Sequence, residues 1–542
     1  MALILIGGFC TPQEAAAETP VGQIPHDATA KKRVYEQYAL THAGDSGRGG
    51  QSFADQKTTR CVICHKVNGQ GGEAGPDLSH IAGKFDRPHL IESLLEPSRQ
   101  IVEGFRATTI VMADGRTLLG IVKDQTADGL TLVDANGRRH HLPAADIGER
   151  QTSAVSLMPE GLEKSLSPEQ FADLIAYLET LRPQGDASFG AGVKGPLQLP
   201  DGFKVATLTT GLTGATAMEA ARDGRIFVCE QTGALRVVKE GELLPTPFVT
   251  LPVDSTWERG LIGVTVDPRF PEEPYVYVCY VARQPYPHHC VSRFTAKGDV
   301  AAAGSERILL EGDDQTKLGG NVPAGHQGGA LHFGLDGTLY VAIGEQTAET
   351  PAQSLATFQG KMLRIGADGS VPSDNPLLAH TSGKYRAIWA LGLRNPFTFA
   401  VRKPSGELFI NDVGGKFEEI NVGVAGANYG WPAVEHGATD DARFRGPIYS
   451  YPQASIAGGD FAPPDWPDEF RGRYFFADFV HGWIKTLNPE QPDDVRTFAS
   501  GLRRPVDLRF IADGRLLVLL RNAWVIDDKF QPSTGTLLEI SL

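Results

Sequence analysis

Long apolar segments and blocks of basic residues are both missing from this 542-residue sequence. No apolar run, including residues 2–6 at the N-terminus, approaches the roughly 20 apolar residues that a membrane-spanning helix needs. Acidic residues outnumber basic ones by 65 to 51, for a formal net charge of -14. These absences argue against a membrane span and against nucleic acid as a partner, and they favour an uncharged or cationic partner.

Cysteine is scarce as well, with six residues in the whole chain. Cys10 falls in the N-terminal segment, and two more cysteines share the motif described below. Of the remaining three, Cys279 and Cys290 either face each other across a hairpin or are buried thiols in strands. The third, Cys229, has no partner in either interpretation, so counting cysteines leaves both open.

Glycine (62 residues) and proline (36 residues) are abundant, and they recur between short runs of Val, Ile, Leu, Phe and Tyr. This composition predicts a mainly β structure, and the length predicts more than one domain. Residues 1–17 combine a short apolar run with Ala15-Ala16-Ala17, which predicts a signal peptide. No basic residue precedes the run, so a misplaced start codon or a flexible tail is the alternative.

Residues 61–65 read Cys-Val-Ile-Cys-His, which is the spacing of a covalent haem attachment site. There Cys61 and Cys64 bind the cofactor through thioether bonds and His65 is the proximal iron ligand. A zinc or cytosolic redox site is the alternative, but zinc needs a second ligand pair and no further cysteine occurs before Cys229. Because c-type haem is attached outside the cytoplasm, the motif also predicts a periplasmic or secreted protein.

The second iron ligand should come from the chain after the motif, and a thioether is the usual choice. Met112 lies beside a turn in a predicted strand, whereas Met158 precedes Pro159 in a loop before a predicted helix. We therefore predict Met158 as the distal ligand. Core packing is its alternative role, and His80 and His89 are competing ligands.

Helix signals surround this motif. Ser167 and Gln170 form a capping box that opens a final helix, whose apolar face must pack against another surface. Residues 105–150 change to short strands, at 109–111, 118–122 and 130–133, separated by Asp-Gly and Asn-Gly turns, which predicts an inserted β-meander. A linker rich in Gly, Ala and Ser follows at residues 183–197.

Residues 45–182 resemble the haem-binding cytochrome c family found fused to sugar-dehydrogenase-like propellers. The segments that carry the likeness are residues 61–65, 75–78 and 156–162. The resemblance implies a small, mainly α cytochrome c domain with haem c as its cofactor, and the inserted meander also matches the pattern of that family.

From residue 198 onward, a turn followed by an aromatic or aliphatic strand recurs. The copies lie at residues 223–228, 274–278, 336–341, 405–410, 471–476 and 513–518. Six copies predict an all-β, six-bladed β-propeller over residues 198–542. A pair of β-sandwiches is the rival fold, but it does not explain the recurrence.

His326 lies in the Gly-rich turn Gly325-His326-Gln327-Gly328-Gly329, which can present an imidazole to a cleft. A histidine in a loop is more often structural than catalytic, but Glu345 and Arg394 follow other predicted strands. A base, an orienting carboxylate and an arginine suited to carboxylates are the parts of one site. We therefore predict His326 and Glu345 as catalytic residues.

Residues 198–542 resemble the soluble pyrroloquinoline-quinone-dependent glucose/sorbosone and aldose sugar dehydrogenases. The matching segments are residues 260–264, 326–329, 360–364, 374–376, 393–396, 418–421 and 428–432. The resemblance implies that His326 is the base that takes the hydroxyl proton while hydride passes to the quinone. It further implies that the cofactor is held by Arg394, Asn395 and Arg504 and by calcium on the carbonyls of Val413 and Gly414.

The chain departs from the glucose-dehydrogenase pattern at three places. A lysine expected near Phe479-Val480-His481 is absent, and a glutamine expected before Gly260 is replaced by Glu258-Arg259. The carboxylate expected beside the base falls on Gly325.

These patterns predict an exported oxidoreductase that oxidises a sugar or alcohol at the propeller and passes electrons to its own haem. An external electron acceptor, such as another cytochrome, is then required. The alternative is an electron-transfer cytochrome whose propeller only binds carbohydrate or a protein partner.

Overall fold

The computed structural model describes residues 28–79, 81–85, 87–99, 101, 105–126, 129–181, 196–320, 325–435, 441–452, 454–522 and 533–542. The expected signal peptide and nearly all of the expected linker lie outside these residues. Within the described ranges, no helix is both long and apolar enough to cross a membrane.

The N-terminal unit is built from short helices around one apolar core. The helices are α1 (Ala28–Thr41), α2 (Ser46–Ala54), α3 (Cys61–Cys64), α4 (Ile81–Lys84), α5 (Arg87–Leu95) and α6 (Pro168–Leu178). A two-stranded hairpin, β1 (Lys66–Val67) and β2 (Gln70–Gly71), follows α3. Side chains of α1, α2, α5 and α6 meet in the core, among them Tyr35, Phe53, Leu90, Ile91, Phe171 and Leu174.

Local hydrogen bonds explain where α6 begins and how it holds α2. The Ser167 side chain accepts from the Gln170 amide and the Gln170 side chain accepts from the Ser167 amide, so the predicted capping box is present. Asp173 of α6 accepts hydrogen bonds from the Asp45 amide (2.6 Å) and from Arg48 Nε (2.7 Å). These contacts fix α2 against α6.

The predicted β-meander is a five-stranded antiparallel sheet, larger than the sequence indicates. Its strands are β3 (Arg106–Met112), β4 (Thr117–Thr126), β5 (Gly129–Asp134), β6 (Arg139–Pro143) and β7 (Ile147–Ser156), in the order β6-β5-β4-β3-β7. The first three strands match the prediction. The sequence did not indicate the last two strands. In β6 the reason is that only Leu142 is buried, so the strand shows no apolar alternation.

In the described part of residues 196–542, six antiparallel sheets follow one another along the chain. The first contains β9 (Ala215–Ala220), β10 (Ile226–Glu230), β11 (Ala234–Lys239), β12 (Glu242–Leu243) and β13 (Val249–Thr250), and the second contains β14 (Leu261–Val266), β15 (Tyr275–Ala282), β16 (His288–Lys297), β17 (Val300–Ala301) and β18 (Arg307–Glu311). The third contains β19 (Gly328–Phe333), β20 (Leu339–Ile343), β21 (Lys361–Ile365) and β22 (Ile388–Leu391), and the fourth contains β23 (Pro396–Val401), β24 (Leu408–Asp412), β25 (Phe417–Val422) and β26 (Tyr449–Pro452). The fifth contains β27 (Ile456–Phe461), β28 (Tyr474–Asp478), β29 (Trp483–Asn488) and β30 (Gln491–Ser500), and the sixth contains β31 (Pro505–Phe510), β32 (Leu516–Leu520), β33 (Gly535–Ser541) and β8 (Lys204–Leu212).

These sheets form a propeller-type fold. The strand β8, which comes first in sequence, pairs with the last strand, β33, and so joins the two ends of this region. The innermost strands also contact one another in a closed sequence, β9 to β14 to β19 to β23 to β27 to β31 and back to β9. Successive sheets around a common centre, closed by strands from both ends, are the arrangement of a β-propeller.

The recurring sequence segment corresponds to one structural position. Each of its six copies forms the second strand of a sheet, namely β10, β15, β20, β24, β28 and β32. Five of these strands are buried at every position from end to end, which explains their largely apolar character. The repeat is visible in the sequence because neighbouring sheets cover both faces of this strand.

The three propeller cysteines are buried thiols. Cys279 and Cys290 lie on adjacent strands, but Cys279 is opposite Val291, and Cys290 is opposite Tyr280. Neighbouring positions point to opposite faces of a sheet, and the two thiols belong to different apolar clusters. Their pairing is therefore excluded here, and burial raises the pKa of the Cys290 thiol to about 12.

Short 3-10 turns complete the described secondary structure. They are Ala144–Asp146, Leu162–Ser165, Gln315–Lys317, Thr350–Gln353 and Gly383–Ala387. The N-terminal unit contacts the propeller through the ring of His89, whose centre lies 6.0 Å from that of the Trp257 ring. A second contact joins Arg106 Nη2 to the carbonyl oxygen of Gly320 at 2.5 Å.

Two candidate functional sites

A small apolar cavity of about 40 Å³ lies inside the N-terminal unit. Its walls come from α2, α5, α6 and the segments around the Cys-Val-Ile-Cys-His motif and Met158. The lining residues are Phe53, Thr59, Cys61, His65, Leu78, Leu94, Met158, Leu162, Glu163, Leu166, Phe171, Leu174 and Leu178. Three of the four residues predicted to bind haem or its iron therefore line one cavity.

The imidazole of His65 is held in a defined orientation. Its Nδ1 lies 2.9 Å from the carbonyl oxygen of Pro76, so an N–H there donates and the lone pair remains on Nε2. Burial lowers the pKa of His65, which favours the neutral ring. A Cβ on Gly75 would lie 2.5 Å from His65 Cε1, so only glycine fits beside the ring.

The two motif cysteines differ in their surroundings. Cys61 lines the cavity, whereas Cys64 does not and instead places its Sγ 3.7 Å from the carbonyl oxygen of Ala135 in the turn after β5. Both thiols are free, and burial raises the pKa of each. The motif thus offers one thiol to the cavity, and the other does not line it.

The other residues that the sequence offers as iron ligands are not found in the cavity where the structure describes them. Met112 packs in the core of the inserted sheet with Ile110 and Leu130. The ring of His89 lies between those of Phe85 and Trp257, tilted against the first and edge-on to the second. His80 lies outside the described residues. Of the candidates that the structure describes, Met158 alone lines the cavity.

Glu163 is a cavity residue that sequence reasoning did not identify. Its side chain is buried, with the residue 2% exposed, and its Oε2 has no hydrogen-bond partner within the described part of the chain. Glu163 lies in a short turn, two positions after Gly161, and no pattern in the sequence marks this residue as buried.

The second site lies where β19 and the second strand of its sheet, β20, meet the neighbouring sheet. His326 Nδ1 lies 2.5 Å from Glu345 Oε1, so the predicted base and its orienting carboxylate are in contact. Glu345 is fully buried and accepts a further hydrogen bond from the Thr347 amide at 2.9 Å. Burial raises the pKa of Glu345, and the nearby Arg394 opposes that effect.

Arg394 and Asn395 are fixed beside this pair by a buried carboxylate. Asp412 accepts from the backbone amides of Arg394 (3.0 Å) and Asn395 (2.6 Å). Asn395 Oδ1 accepts in turn from the Gly328 amide at 3.0 Å, which ties it to the turn that carries His326. Burial first and then Glu419 raise the pKa of Asp412 well above its ordinary value.

Sequence reasoning missed Asp412, although a signal was available. It ends the recurring strand β24 directly, as Glu230 ends β10 and Asp478 ends β28. Asp478 accepts from the backbone amides of the segment after its strand, as Glu230 does from another loop, so these carboxylates organise the loops at one end of the propeller. An acidic residue at the end of a buried strand marks this end of the fold.

A concentration of arginine surrounds the site. The guanidinium of Arg394 lies over the Trp431 ring at 5.3 Å, and that of Arg504 lies over the Phe479 ring at 5.2 Å. Burial and then Arg504 lower the pKa of Arg521 to about 10, against the opposing effect of Glu258. Closely spaced, buried positive charges suit an anionic ligand, and a polycarboxylate fits this requirement.

The expected calcium ligands are partly engaged. The carbonyl oxygen of Val413 accepts from Arg394 Nη1 at 2.7 Å, and Glu435 Oε1 accepts from the amides of Gly415 and Lys416 at 2.5 Å each. Among the described residues, no group of three or more His, Cys, Asp or Glu side chains could hold a metal ion. Carbonyl oxygens beside a carboxylate are of the type that calcium prefers, and the carbonyl oxygen of Val413 here also accepts a hydrogen bond from Arg394.

Comparisons with known proteins place this propeller among sugar dehydrogenases. A family model described as Glucose / Sorbosone dehydrogenase matches residues 212–522. The aldose sugar dehydrogenase of Escherichia coli K12 is 31% identical over 209 residues, covering 38% of this chain and 55% of that protein. Quinoprotein glucose dehydrogenase B of Acinetobacter calcoaceticus is 30% identical over 281 residues, covering 46% of this chain and 56% of that protein.

A solved structure supports the same assignment. An oxidoreductase (glucose dehydrogenase) of Thermus thermophilus aligns with a TM-score of 0.55 and 30% identity, covering 63% of this chain and all of that one. The chain spans about half the length of the two curated relatives named above.

Proposed function

We propose, because this chain belongs to the glucose/sorbosone dehydrogenase family, that it is a quinone-dependent dehydrogenase of a sugar or alcohol and passes electrons to a haem of its own. The catalytic unit is a six-bladed propeller in this proposal. The observation that carries it is the contact of His326 with Glu345 at 2.5 Å, next to Arg394.

His326 acts as the base in this proposal. With Nδ1 donating to Glu345, the lone pair of the neutral ring lies on Nε2, where it can accept the proton of a substrate hydroxyl. Glu345 fixes the tautomer and stabilises the imidazolium that forms. The proton of the hydroxyl group therefore leaves to Nε2 while the hydrogen on carbon leaves as hydride.

Arg394, Asn395 and Arg504 are the residues that would hold pyrroloquinoline quinone. Once bound, a quinone supplies a two-electron acceptor for the hydride. Arginine pairs with carboxylates through parallel hydrogen bonds, and the aromatic rings of Trp431 and Phe479 hold two of these guanidinium groups in place. The carbonyls of Val413 and Gly414 would hold calcium.

The N-terminal cavity would hold the haem, with Cys61 and Cys64 attached to it, His65 as proximal ligand and Met158 as distal ligand. A bound haem supplies a one-electron carrier. The fit rests on two observations. The hydrogen bond from His65 Nδ1 to the Pro76 carbonyl leaves a lone pair on Nε2 for the iron, and Met158 lines the same cavity. The contact between His89 and Trp257 supports transfer within the chain, because Trp257 adjoins the turn that carries His326.

The location proposed for this protein is the periplasm or the extracellular space. The reason is chemical, since the thioether bonds of c-type haem are made outside the cytoplasm. An external acceptor, such as another cytochrome, would then remove the electrons one at a time.

Two observations favour a second candidate function, an electron-transfer cytochrome whose propeller only binds carbohydrate or a protein. No lysine occupies residues 479–481, where His481 Nδ1 instead lies 2.9 Å from Asp478 Oδ1. The carbonyl of Val413 is also engaged with Arg394. Loss of quinone binding would leave the remaining fold intact.

Reconstitution separates the two candidates. We expect the haem absorption of the exported protein to change to that of the reduced form only when quinone, calcium and a suitable sugar or alcohol are all present. A panel of aldoses and alcohols identifies the substrate. If haem is reduced without quinone, or if no substrate in the panel reduces it while an external reductant does, the binding function is correct instead.

Met158→Leu is expected to abolish the weak near-infrared band of sulfur-ligated ferric haem. Leucine keeps the side-chain volume and removes the sulfur, so the cavity remains filled. Met112→Leu is the matched control and should keep the band, because Met112 packs in the inserted sheet. Loss of the band in Met112→Leu, with retention in Met158→Leu, would reverse the assignment.

A further inference from the structure

The segment before β14 is held in a defined conformation by Gln231, which follows β10. Gln231 Nε2 donates to the backbone carbonyls of Ser255 (3.1 Å) and Arg259 (2.9 Å), and also to that of Trp257. An ion pair between Arg259 Nη1 and Asp254 Oδ2 at 3.0 Å closes the same segment. A side chain carried here is therefore presented from a defined backbone.

Glu258 is the side chain that this segment directs to the turn. Its Oε2 accepts from the backbone amide of His326 at 2.7 Å, and the two residues are 68 positions apart in sequence. Glu258 is an exposed residue, so its second oxygen lies near solvent at the mouth of the site. The Glu258 carboxylate thus contacts the main-chain amide of His326, whereas the Glu345 carboxylate contacts its imidazole ring.

The backbone of His326 requires such support. Its φ is +52°, in the left-handed region that residues with a side chain seldom occupy. A conformation of this kind persists only where surrounding contacts determine it. Two such contacts are the Glu258 bond to the amide and the hydrogen bond from the Gln346 amide to the His326 carbonyl at 3.1 Å.

Gly325 leaves the space that Glu258 uses. A Cβ on Gly325 would lie 3.2 Å from Glu258 Oε1 and 3.3 Å from Trp257 Nε1. Gly325, directly before His326, has no side chain, and the Glu258 carboxylate from the segment before β14 lies beside it. Any side chain at residue 325 would compete with Glu258 for this space.

We propose that Glu258 is a positioning residue for the base: it holds the strained backbone of His326 so that Nε2 faces the substrate hydroxyl. This inference rests on the proposed function and deepens it. Nε2 needs a defined direction because proton transfer requires the acceptor within hydrogen-bond reach of the hydroxyl, and a displacement of about 1 Å can cost roughly a hundredfold in rate.

Glu258→Ala should lower kcat for sugar oxidation by roughly tenfold to a hundredfold while leaving the quinone concentration for half-maximal activity within about twofold. Glu258→Gln should recover most of that loss, because the amide oxygen can still accept from His326. Glu272→Ala, which removes an exposed carboxylate after β14, is the matched control and should behave as the parent does.

A double-mutant cycle tests the contact itself. Gly325→Ala should lower kcat in the parent, since the new methyl group would lie 3.2 Å from Glu258 Oε1 and would force the carboxylate to shift by a few tenths of an ångström. The same substitution should have little further effect in Glu258→Ala, where the contact is already absent. Additive effects of the two substitutions would contradict the proposal.

Hydrogen–deuterium exchange of the peptide that contains His326 gives a measurement that does not depend on activity. Exchange should accelerate by roughly tenfold or more in Glu258→Ala and much less in Glu258→Gln. Unchanged exchange, or a Glu258→Ala variant with the kcat of the parent, overturns the proposal. If exchange responds as expected and the reconstituted parent oxidises no sugar, the proposed function is wrong and the contact is only structural.

Discussion

His326→Ala should slow substrate-driven haem reduction by roughly a hundredfold to ten-thousandfold, the range that follows loss of a general base. The hydroxyl carbon gives up hydride readily only if the hydroxyl proton leaves in the same event. In the parent, Nε2 of His326 accepts that proton because Nδ1 is engaged with Glu345. Stopped-flow absorbance at the haem band, with quinone, calcium and substrate saturating, measures the rate.

His380→Ala is the control, because His380 lies in an exposed loop away from the site. Glu345→Gln should give a loss in a similar range, since an amide can hold the ring in the wrong tautomer. The two losses should not add when combined, because the two residues act as one unit.

Arg394→Ala should behave differently from His326→Ala. It removes a guanidinium that lies over Trp431, so its main effect should be weaker loading of the quinone. The quinone concentration needed for half-maximal activity should rise, and the rate at saturating quinone should recover in large part.

A His326→Ala variant that reduces haem as fast as the parent would show that His326 is not the base.

Replacement of both Cys61 and Cys64 by alanine should remove covalent haem completely. Each thiol provides one of the two bonds to the porphyrin, so the parent should keep a haem-sized mass addition after acid-acetone extraction and the double variant should not. The measurement is the intact mass of protein exported from a host that attaches c-type haem. Loss of the haem should also end substrate-driven reduction of an external one-electron acceptor.

Cys290→Ala is the matched control, because it removes a buried thiol from the propeller and leaves the motif unchanged. It should retain the mass addition. A parent protein without that addition would show that the motif does not bind haem, and the N-terminal cavity would then need another ligand.

Several local features could be predicted from the sequence because neighbouring residues determine them. The Ser167 and Gln170 capping box needs residues only three positions apart. The recurring strands are visible because burial between neighbouring sheets requires an unbroken apolar run. The strand β6 was missed because it buries only Leu142, so its pattern resembles that of a loop.

The sequence by itself determined the order of the elements, the Cys-Val-Ile-Cys-His motif and the residue types of the propeller site. Only the tertiary structure decided which residues meet: Glu258 reaches His326 across 68 positions, and Asp412 holds Arg394 from the next strand of its sheet. It also placed Cys279 and Cys290 on opposite faces, and Met158 and Glu163 in one cavity. The physical reason is that apolar periodicity and capping report contacts within one or two turns of chain, whereas the direction of a loop carboxylate depends on how separate sheets pack.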